Sequence, residues 1–441
     1  MMNKENTPIY DRPAELLQQL IRFNTTNPPG NELECIQYIK GLLAEAGIQS
    51  TLVGKVENRP NLIARIKGEG KVPPLLLYGH VDVVTTENQK WQQPPFAANI
   101  VDGYIWGRGA LDMKSGVAMM LAAFLKAKAE ATPLPGDVIF CAVADEENGG
   151  NFGAKYLVQE HAGLFKDIRY AFGEFGGFNI NLAGKRVYPI MVAEKQACWM
   201  KLTFHGRGGH GSMPVHDQAM AKLGRALDLI NRSSLPYHMT PAVRMMLGEM
   251  SRTLGGLPGF VIGQSTNPLV ADQIVKALGA GGQMFAPLLH NTVSPTMLLA
   301  SDKINVIPAE VSLGLDGRLL PGFKPEDMTR ELHALLGEDY DIELSMFDPG
   351  PAEPNMGMFD ILAEDLRELD PQGVPVPYVA AGVTDARFFS LLGIQTYGFT
   401  PLKLPDDFNF QTAIHAADER VPVDAVDFGA QAIFKAIQKT Y

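Results

Sequence analysis

The sequence predicts an α/β fold: a principal domain with a mixed, largely parallel sheet flanked by helices, interrupted by an inserted α+β domain of ferredoxin-like order. Three observations carry this reading. Apolar runs such as LLLYG (75–79) and VIFCAVA (138–144) are nearly continuous, the mark of strands covered on both faces, and helical stretches alternate with them. Near residue 194 the pattern changes, and strand, helix, two strands, helix and strand follow in the order of a compact sandwich. After Pro349 the α/β character returns. The implied divisions are 1–195, 196–348 and 349–441, with the middle segment inserted into the domain formed by the other two. A chain of 441 residues is also longer than single cores usually grow.

Taken in order, a first helix is predicted over 12–23, and TTNPPGNE is a turn closing with Asn31 as an N-cap. Over 32–46, Ile36, Ile39 and Leu43 recur at helical spacing and Gly47 ends the element. Strands follow at 51–53, 61–66 and 75–78, then an alanine- and methionine-rich helix at 115–129. Next come a strand at 137–144, a helix at 152–161 and a strand at 169–173. The inserted domain reads as a strand at 197–205, a glycine-rich turn, a helix at 218–231, strands at 296–301 and 309–318, a helix at 325–336 and a strand at 340–347. Residues 235–289 between its halves contain helical and glycine-rich parts without an assigned place. The chain closes with a helix at 359–369, the turn AAGVTDARF, a strand at 396–399 and a helix at 425–440. No internal repeat or low-complexity segment occurs.

Composition excludes several classes. Apolar residues are 46% and charged residues 20%, as in soluble globular proteins. Lys plus Arg number 38 against 49 for Asp plus Glu, a net charge of −11, which argues against nucleic acid or an anionic membrane as the main partner. Cys35, Cys141 and Cys198 stand singly, so neither a thiolate zinc site nor a disulfide framework is indicated; they read as buried hydrophobes in a reducing compartment. The N-terminus lacks the apolar core of a signal peptide and no run reaches membrane-spanning length, so the cytoplasm is expected.

The residues that carry chemistry gather at predicted strand ends. His80 and Asp82 are two apart, so their side chains emerge on one side of the backbone. An imidazole there can ligate metal while a carboxylate fixes its tautomer; the plainer reading is a hydrogen-bonded pair in a capped loop. Asp112 follows Gly107 and Gly109, which permit tight turns, and by itself is as well explained as a helix N-cap. Asp145, Glu146 and Glu147 crowd the mouth of an apolar strand, where carboxylates repel unless a cation or proton compensates them. One of two adjacent glutamates can bind metal while the other takes a proton from water. Glu174 ends the next strand within GEFGG, and His415 follows an irregular stretch. Two histidines and several carboxylates at successive strand ends make the donor set of zinc or a similar divalent ion. By themselves they read as a metal-dependent hydrolase.

The chain resembles the co-catalytic zinc exopeptidases and deacylases: acetylornithine deacetylase, succinyl-diaminopimelate desuccinylase, carboxypeptidase G, aminoacylase and the carboxypeptidase S-like enzymes. The pieces that match are GHVDVV, GRGALDMKSG, ADEENGG, GEFGG, HGRGGHGSMP, NVIPAEVSLGLDGR, GVTDARF and HAADERVPVD, in family order from about Leu75 onward. The resemblance implies two zinc ions per chain, with cobalt or manganese sharing the ligands. Asp112 would bridge them, His80 and Glu174 would complete one coordination sphere, and Glu147 and His415 the other. Asp82 would sit behind His80 and orient it, and Glu146 would be the general base. In the inserted domain, a lid or dimerisation domain by this resemblance, His210 matches an oxyanion-stabilising histidine. Asn305 and Arg318 match substrate-binding positions, and Gly382 falls on a loop lining the carboxylate end of the substrate. A homodimer through the lid is implied as well, although the 235–289 insertion is longer than in the compact dimeric members.

The implied reaction is hydrolysis of an amide next to a free carboxylate. The first reading is an exopeptidase acting on small peptides, either a carboxypeptidase or a dipeptidase. The second is an N-acyl amino acid deacylase of the acetylornithine type. A metal-free binding protein on the same fold would show a broken ligand set. A two-metal phosphoesterase would show a phosphate-gripping basic motif, and none is found.

Overall fold

The computed structural model describes residues 7–182, 184–213, 215–277, 285–439 and 441. The chain divides into two units, one formed by Met1–Val192, Asn355–Tyr378 and Thr384–Tyr441, the other by Ala193–Pro354 and Val379–Val383.

The first unit is built on a mixed sheet, parallel at its centre. Strand Leu75–His80 lies between Val138–Val143 and Tyr170–Gly173, parallel to both, and Gln395–Gly398 extends the parallel set beyond Tyr170–Gly173. Antiparallel strands flank it: Asn61–Ile66 and then Ser50–Val53 on one side, Lys185–Glu194 on the other. The apolar runs are explained by their alternation. Leu75 and Leu77 face one core with Phe140 and Phe172, while Leu76 and Tyr78 face a second core with Ile139, Cys141 and Phe389. A strand whose residues point alternately into two cores has no polar face, hence its continuous hydrophobicity. Each such side chain contributes about 1.5–3 kcal/mol on burial.

Helix Lys114–Ala129 is buried along nearly its whole length, packed among the helices Pro13–Arg22 and Val423–Ala436 and the strand Leu75–His80. That triple contact is why its sequence shows no polar stripe. Lys114 is buried too; its Nζ donates to the carbonyls of Leu20 and Phe23, satisfying the ammonium inside the core.

In the second unit the strands stand in the order Thr292–Leu299, Glu310–Leu319, Gln196–His205, Asp341–Phe347, all antiparallel. Gln196–His205 and Glu310–Leu319, the first and third strands of this sheet in chain order, are thus central, the ferredoxin-like arrangement. Met200, Leu202 and Phe204 alternate inward with Val311, Leu313 and Leu315, against residues of helices Ala219–Arg232 and Pro325–Leu336. The 235–289 stretch forms helices Pro241–Leu254, Gly256–Gln264 and Ala271–Ala277, capped first by Thr240, whose side chain accepts from the Val243 amide. Its positions 278–284 lie outside the described residues, as does residue 440 of the predicted last helix.

Several expectations are corrected. Glu32, not Asn31, is the N-cap of helix Leu33–Glu45, and it makes no side-chain cap bond because its carboxylate grips Arg59. Met113, not Asp112, caps helix Lys114–Ala129. Strands Lys185–Glu194 and Val374–Ala380 were not predicted. The second contains two prolines, which remove ladder donors and demote a segment in any strand reading. Among the described residues no helix is long and apolar enough to cross a membrane.

Candidate metal centre

Three parallel strands deliver their C-terminal ends to one place, as ligand sites in open α/β sheets require. Leu75–His80 ends on His80, Tyr170–Gly173 is followed at once by Glu174, and Val138–Val143 runs on to Asp145, Glu146 and Glu147. Asp112 comes from the turn before helix Lys114–Ala129, and His415 from a loop near the C-terminus, where its φ of 58° is left-handed.

The donor atoms form a chain. His80 Nε2 lies 3.5 Å from Glu174 Oε2 and 3.1 Å from Asp112 Oδ1. The other oxygen of Asp112, Oδ2, is 3.1 Å from His415 Nε2, which is 3.4 Å from Glu147 Oε2. Asp112 therefore turns one oxygen to each imidazole. Two groups have their ligand atoms within 4.8 Å of one another: His80 with Glu146 and Glu174, and His80 with Asp112 and Glu147. His80 is buried, whereas His415 is half exposed, so the cluster opens on its His415 side.

The tautomer of His80 is fixed locally. Its Nδ1 is 2.9 Å from the main-chain oxygen of Asp82, which only accepts, so Nδ1 carries a proton and Nε2 is the nitrogen whose lone pair the neutral ring would offer to the cluster. The Asp82 carboxylate lies behind the same ring and also has main-chain partners. Asp82 Oδ1 is 3.6 Å from Nδ1, and the carboxylate also accepts the main-chain amides of Glu146 at 3.1 Å and Glu147 at 3.2 Å, with Asn27 Nδ2 at 2.8 Å. Asp82 holds the loop that carries the two glutamates.

Glu419 does the same for the Asp112 turn. Its buried carboxylate accepts amides from Gly109 (3.1 Å), Leu111 (2.7 Å) and Asp112 (3.1 Å), and is paired with Arg108 Nη1 at 2.6 Å. Arg108 Nη2 also donates to the His415 carbonyl at 3.2 Å. The sequence reading missed Arg108, Glu419 and Asn27. Asn27 meets Asp82 across 55 residues and Arg108 meets Glu419 across 311, and no local spacing announces such contacts.

Electrostatics agree with a site built for cations. Burial raises the Glu146 carboxyl well above its ordinary range, with Glu174 adding to the effect, and burial lifts Glu174 to about 7. Burial disfavours charge on His80, but its contacts with Asp112 and Glu174 outweigh this and raise its pKa. His415 is raised to about 10 by Asp112 and Glu147. Four carboxylates thus share a buried space with two imidazoles, and Glu147 Oε1 is buried with no hydrogen-bond partner among the described residues. Imidazole and carboxylate donors with uncompensated negative charge and an orphaned oxygen fit divalent ions.

The remaining expected site residues lie in the second unit. His210 sits on a two-residue ribbon, Gly209–His210 against Val306–Ile307, and the Gly211 amide donates to the Asn305 carbonyl at 2.8 Å. His210 Nδ1 accepts the Ser212 amide, which leaves its proton on an exposed Nε2. Arg318 directs Nε and Nη2 at Asp316, at 2.8 and 3.1 Å. Gly382 faces open space.

A doubly covered, centrally parallel sheet with imidazoles and carboxylates converging at its strand ends defines a metal-dependent hydrolase. The chain belongs to peptidase family M20/M25/M40, whose family model matches residues 76–439. It is 27% identical over 380 residues to the probable carboxypeptidase S-like 2 of Dictyostelium discoideum, covering 82% of this chain and 71% of that protein. It is 25% identical over 397 residues to the human (Homo sapiens) N-fatty-acyl-amino acid synthase/hydrolase PM20D1, covering 87% and 77%. The crystal structure of an M20 family metallo-carboxypeptidase, Sso-CP2 from Sulfolobus solfataricus, has the same fold, with a TM-score of 0.71 at 17% identity over 97% of this chain and 98% of that one. The protein is an enzyme, a hydrolase of the peptidase and amidohydrolase kind.

Proposed function

We propose that the chain is a two-metal amidohydrolase that cleaves an amide next to a free carboxylate, as a carboxypeptidase or dipeptidase. The observation that carries this reading is Asp112, whose two oxygens face two different imidazoles, with Glu174 and Glu147 beyond them. His80, Asp112 and Glu174 would hold one ion, and His415, Asp112 and Glu147 the other. Zinc, or cobalt or manganese in its place, would polarise the scissile carbonyl and acidify the nucleophilic water, zinc to a pKa of about 7.

Glu146 is left for proton transfer. Its carboxylate takes a proton from the attacking water and returns it to the leaving amine nitrogen, and its burial among acids raises its proton affinity toward that task. Asp82 holds the Glu146 amide and so the start of that side chain. His210 offers an Nε2–H, the donor type an oxyanion needs. Asn305, Arg318 and Gly382 are the proposed substrate-side groups of the second unit; a substrate carboxylate would compete with Asp316 for the Arg318 fork.

A second reading is hydrolysis of N-acyl amino acids, favoured by the similarity to the N-fatty-acyl-amino acid synthase/hydrolase. Both substrate classes present one amide and one carboxylate. Dipeptides and N-acyl amino acids of short and long chain, assayed side by side with each metal, decide between them. In the same assay Glu146→Gln should keep its metal and lose activity by about 10²–10⁴-fold, the usual contribution of a positioned acid–base group. A Gln variant working near the parent rate would remove Glu146 from this role.

A further inference from the structure

The loop 145–152 carries both Glu146 and Glu147, and it is held from a part of the chain that the family match does not reach. Asn27, Glu32 and Arg59 all precede residue 76, where that match begins. Arg59 is buried, with Nε 3.0 Å from Glu32 Oε2 and Nη2 2.6 Å from Glu32 Oε1. Its third nitrogen, Nη1, reaches Asp145 Oδ1 at 3.1 Å, and its guanidinium lies 4.8 Å over the Phe152 ring at the far end of the same loop. The guanidinium fork thus spans two carboxylates, which a point-charge ammonium cannot reproduce. Gly30 completes the fit, since a Cβ there would stand 2.2–2.4 Å from the guanidinium.

Asn27 closes the circuit. Its Nδ2 donates to Asp82 Oδ2 at 2.8 Å and to Asp145 Oδ1 at 3.0 Å, so one amide group joins the two buried acids on either side of the loop start. Asp145 takes a left-handed φ of 67°, unusual for a residue with a side chain, and its Oδ2 accepts the Phe152 amide. Asp82 in turn accepts the Glu146 and Glu147 amides. The sequence of contacts runs Glu32, Arg59, Asp145, Asn27, Asp82 and then the main chain of both glutamates.

We infer that Arg59 and Asn27 are positioning residues, which set the placement of Glu146 and Glu147 through Asp145 and Asp82 without touching substrate. The inference rests on the amidohydrolase reading for its kinetic consequence only. Residues standing behind a metal site of this kind are typically worth 10–100-fold in metal affinity or activity.

The test pairs amide hydrogen exchange on metal-free protein with kinetics on the zinc-loaded enzyme, for Arg59→Lys and Asn27→Ser. Exchange in the 145–152 peptide should speed at least about tenfold while the 138–143 strand stays at the parent rate, and kcat should fall about 10–100-fold with KM little changed. A general loss of structure would instead quicken both peptides. Parent values for either the loop exchange or kcat in a folded variant overturn the inference. Should Arg59→Lys fail to fold, Asn27→Ser carries the test alone. If the parent cleaves no amide in the panel, the function reading fails and the exchange arm still decides whether the loop is held from Arg59.

Discussion

Asp385, in the GVTDARF turn, shows what a single buried group contributes. Both of its oxygens are buried with no hydrogen-bond partner among the described residues, and burial pushes its pKa from 3.8 to about 7. Arg387 opposes that rise, while the acids Glu174 and Asp82 add to it and His80 subtracts. A folded pKa above the unfolded one means that the folded state binds the proton more tightly. Stability of the metal-free protein should therefore fall as pH rises from about 4 to about 7 on this account. Asp385→Asn keeps the shape without the charge. Its metal-free form should melt above the parent at pH 8 and converge with it near pH 4, read by calorimetry across that range. Equal melting temperatures at pH 8 would mean that the carboxyl finds compensation elsewhere. His415 acts in the same direction at higher pH: its two acid partners stabilise the fold fully below 6.5, and that contribution is lost as pH rises through about 10.

At the scale of elements, turns place the chemistry and strands supply the platform. Gly153, at the start of helix Ala154–Glu160, packs so closely under the preceding strand that a Cβ would stand 1.7 Å from the Ala144 carbonyl oxygen. Gly153→Ala must push that helix away and the 145–152 loop with it. We expect a loss of about 1–3 kcal/mol in denaturant unfolding, the usual range for overpacking, with activity falling further than stability. An unchanged midpoint would show that the helix shifts freely. The strands were legible because burial on both faces writes itself as a run, as in LLLYG, and the predicted 61–66 strand coincides with Asn61–Ile66. What pattern could not supply was the pairing of distant polar groups. Asp82 was read only as a companion of His80, two residues before it, and its carboxylate also serves amides 64 and 65 residues on. Glu419 and Arg108 were passed over for the same reason. The identities of the converging histidines and acids were legible; which atom faces which neighbour is a property of the fold.

For the whole molecule, the two units have separate cores, one containing Phe124, Phe140 and Tyr397, the other Phe204, Leu313 and Leu332. His80, Asp112, Glu146, Glu147, Glu174 and His415 belong entirely to the first unit. A ligand that binds only the folded state stabilises it by about 2.7 kcal/mol at a hundredfold excess over Kd. For a unit of this size about 1 kcal/mol corresponds to roughly 2–4 °C, so metal should raise its melting by about 5–10 °C. Saturating chelator should therefore lower one calorimetric transition by that amount and leave a second, belonging to the other unit, in place. The effect should be largest at neutral and higher pH, where the clustered carboxylates are ionised and the cations compensate most charge. His415→Ala, which removes a proposed ligand from the exposed side, should shrink the chelator shift without moving the second transition. If chelation displaces both transitions equally, or neither, then these donors are not what ties metal to the stability of the first unit.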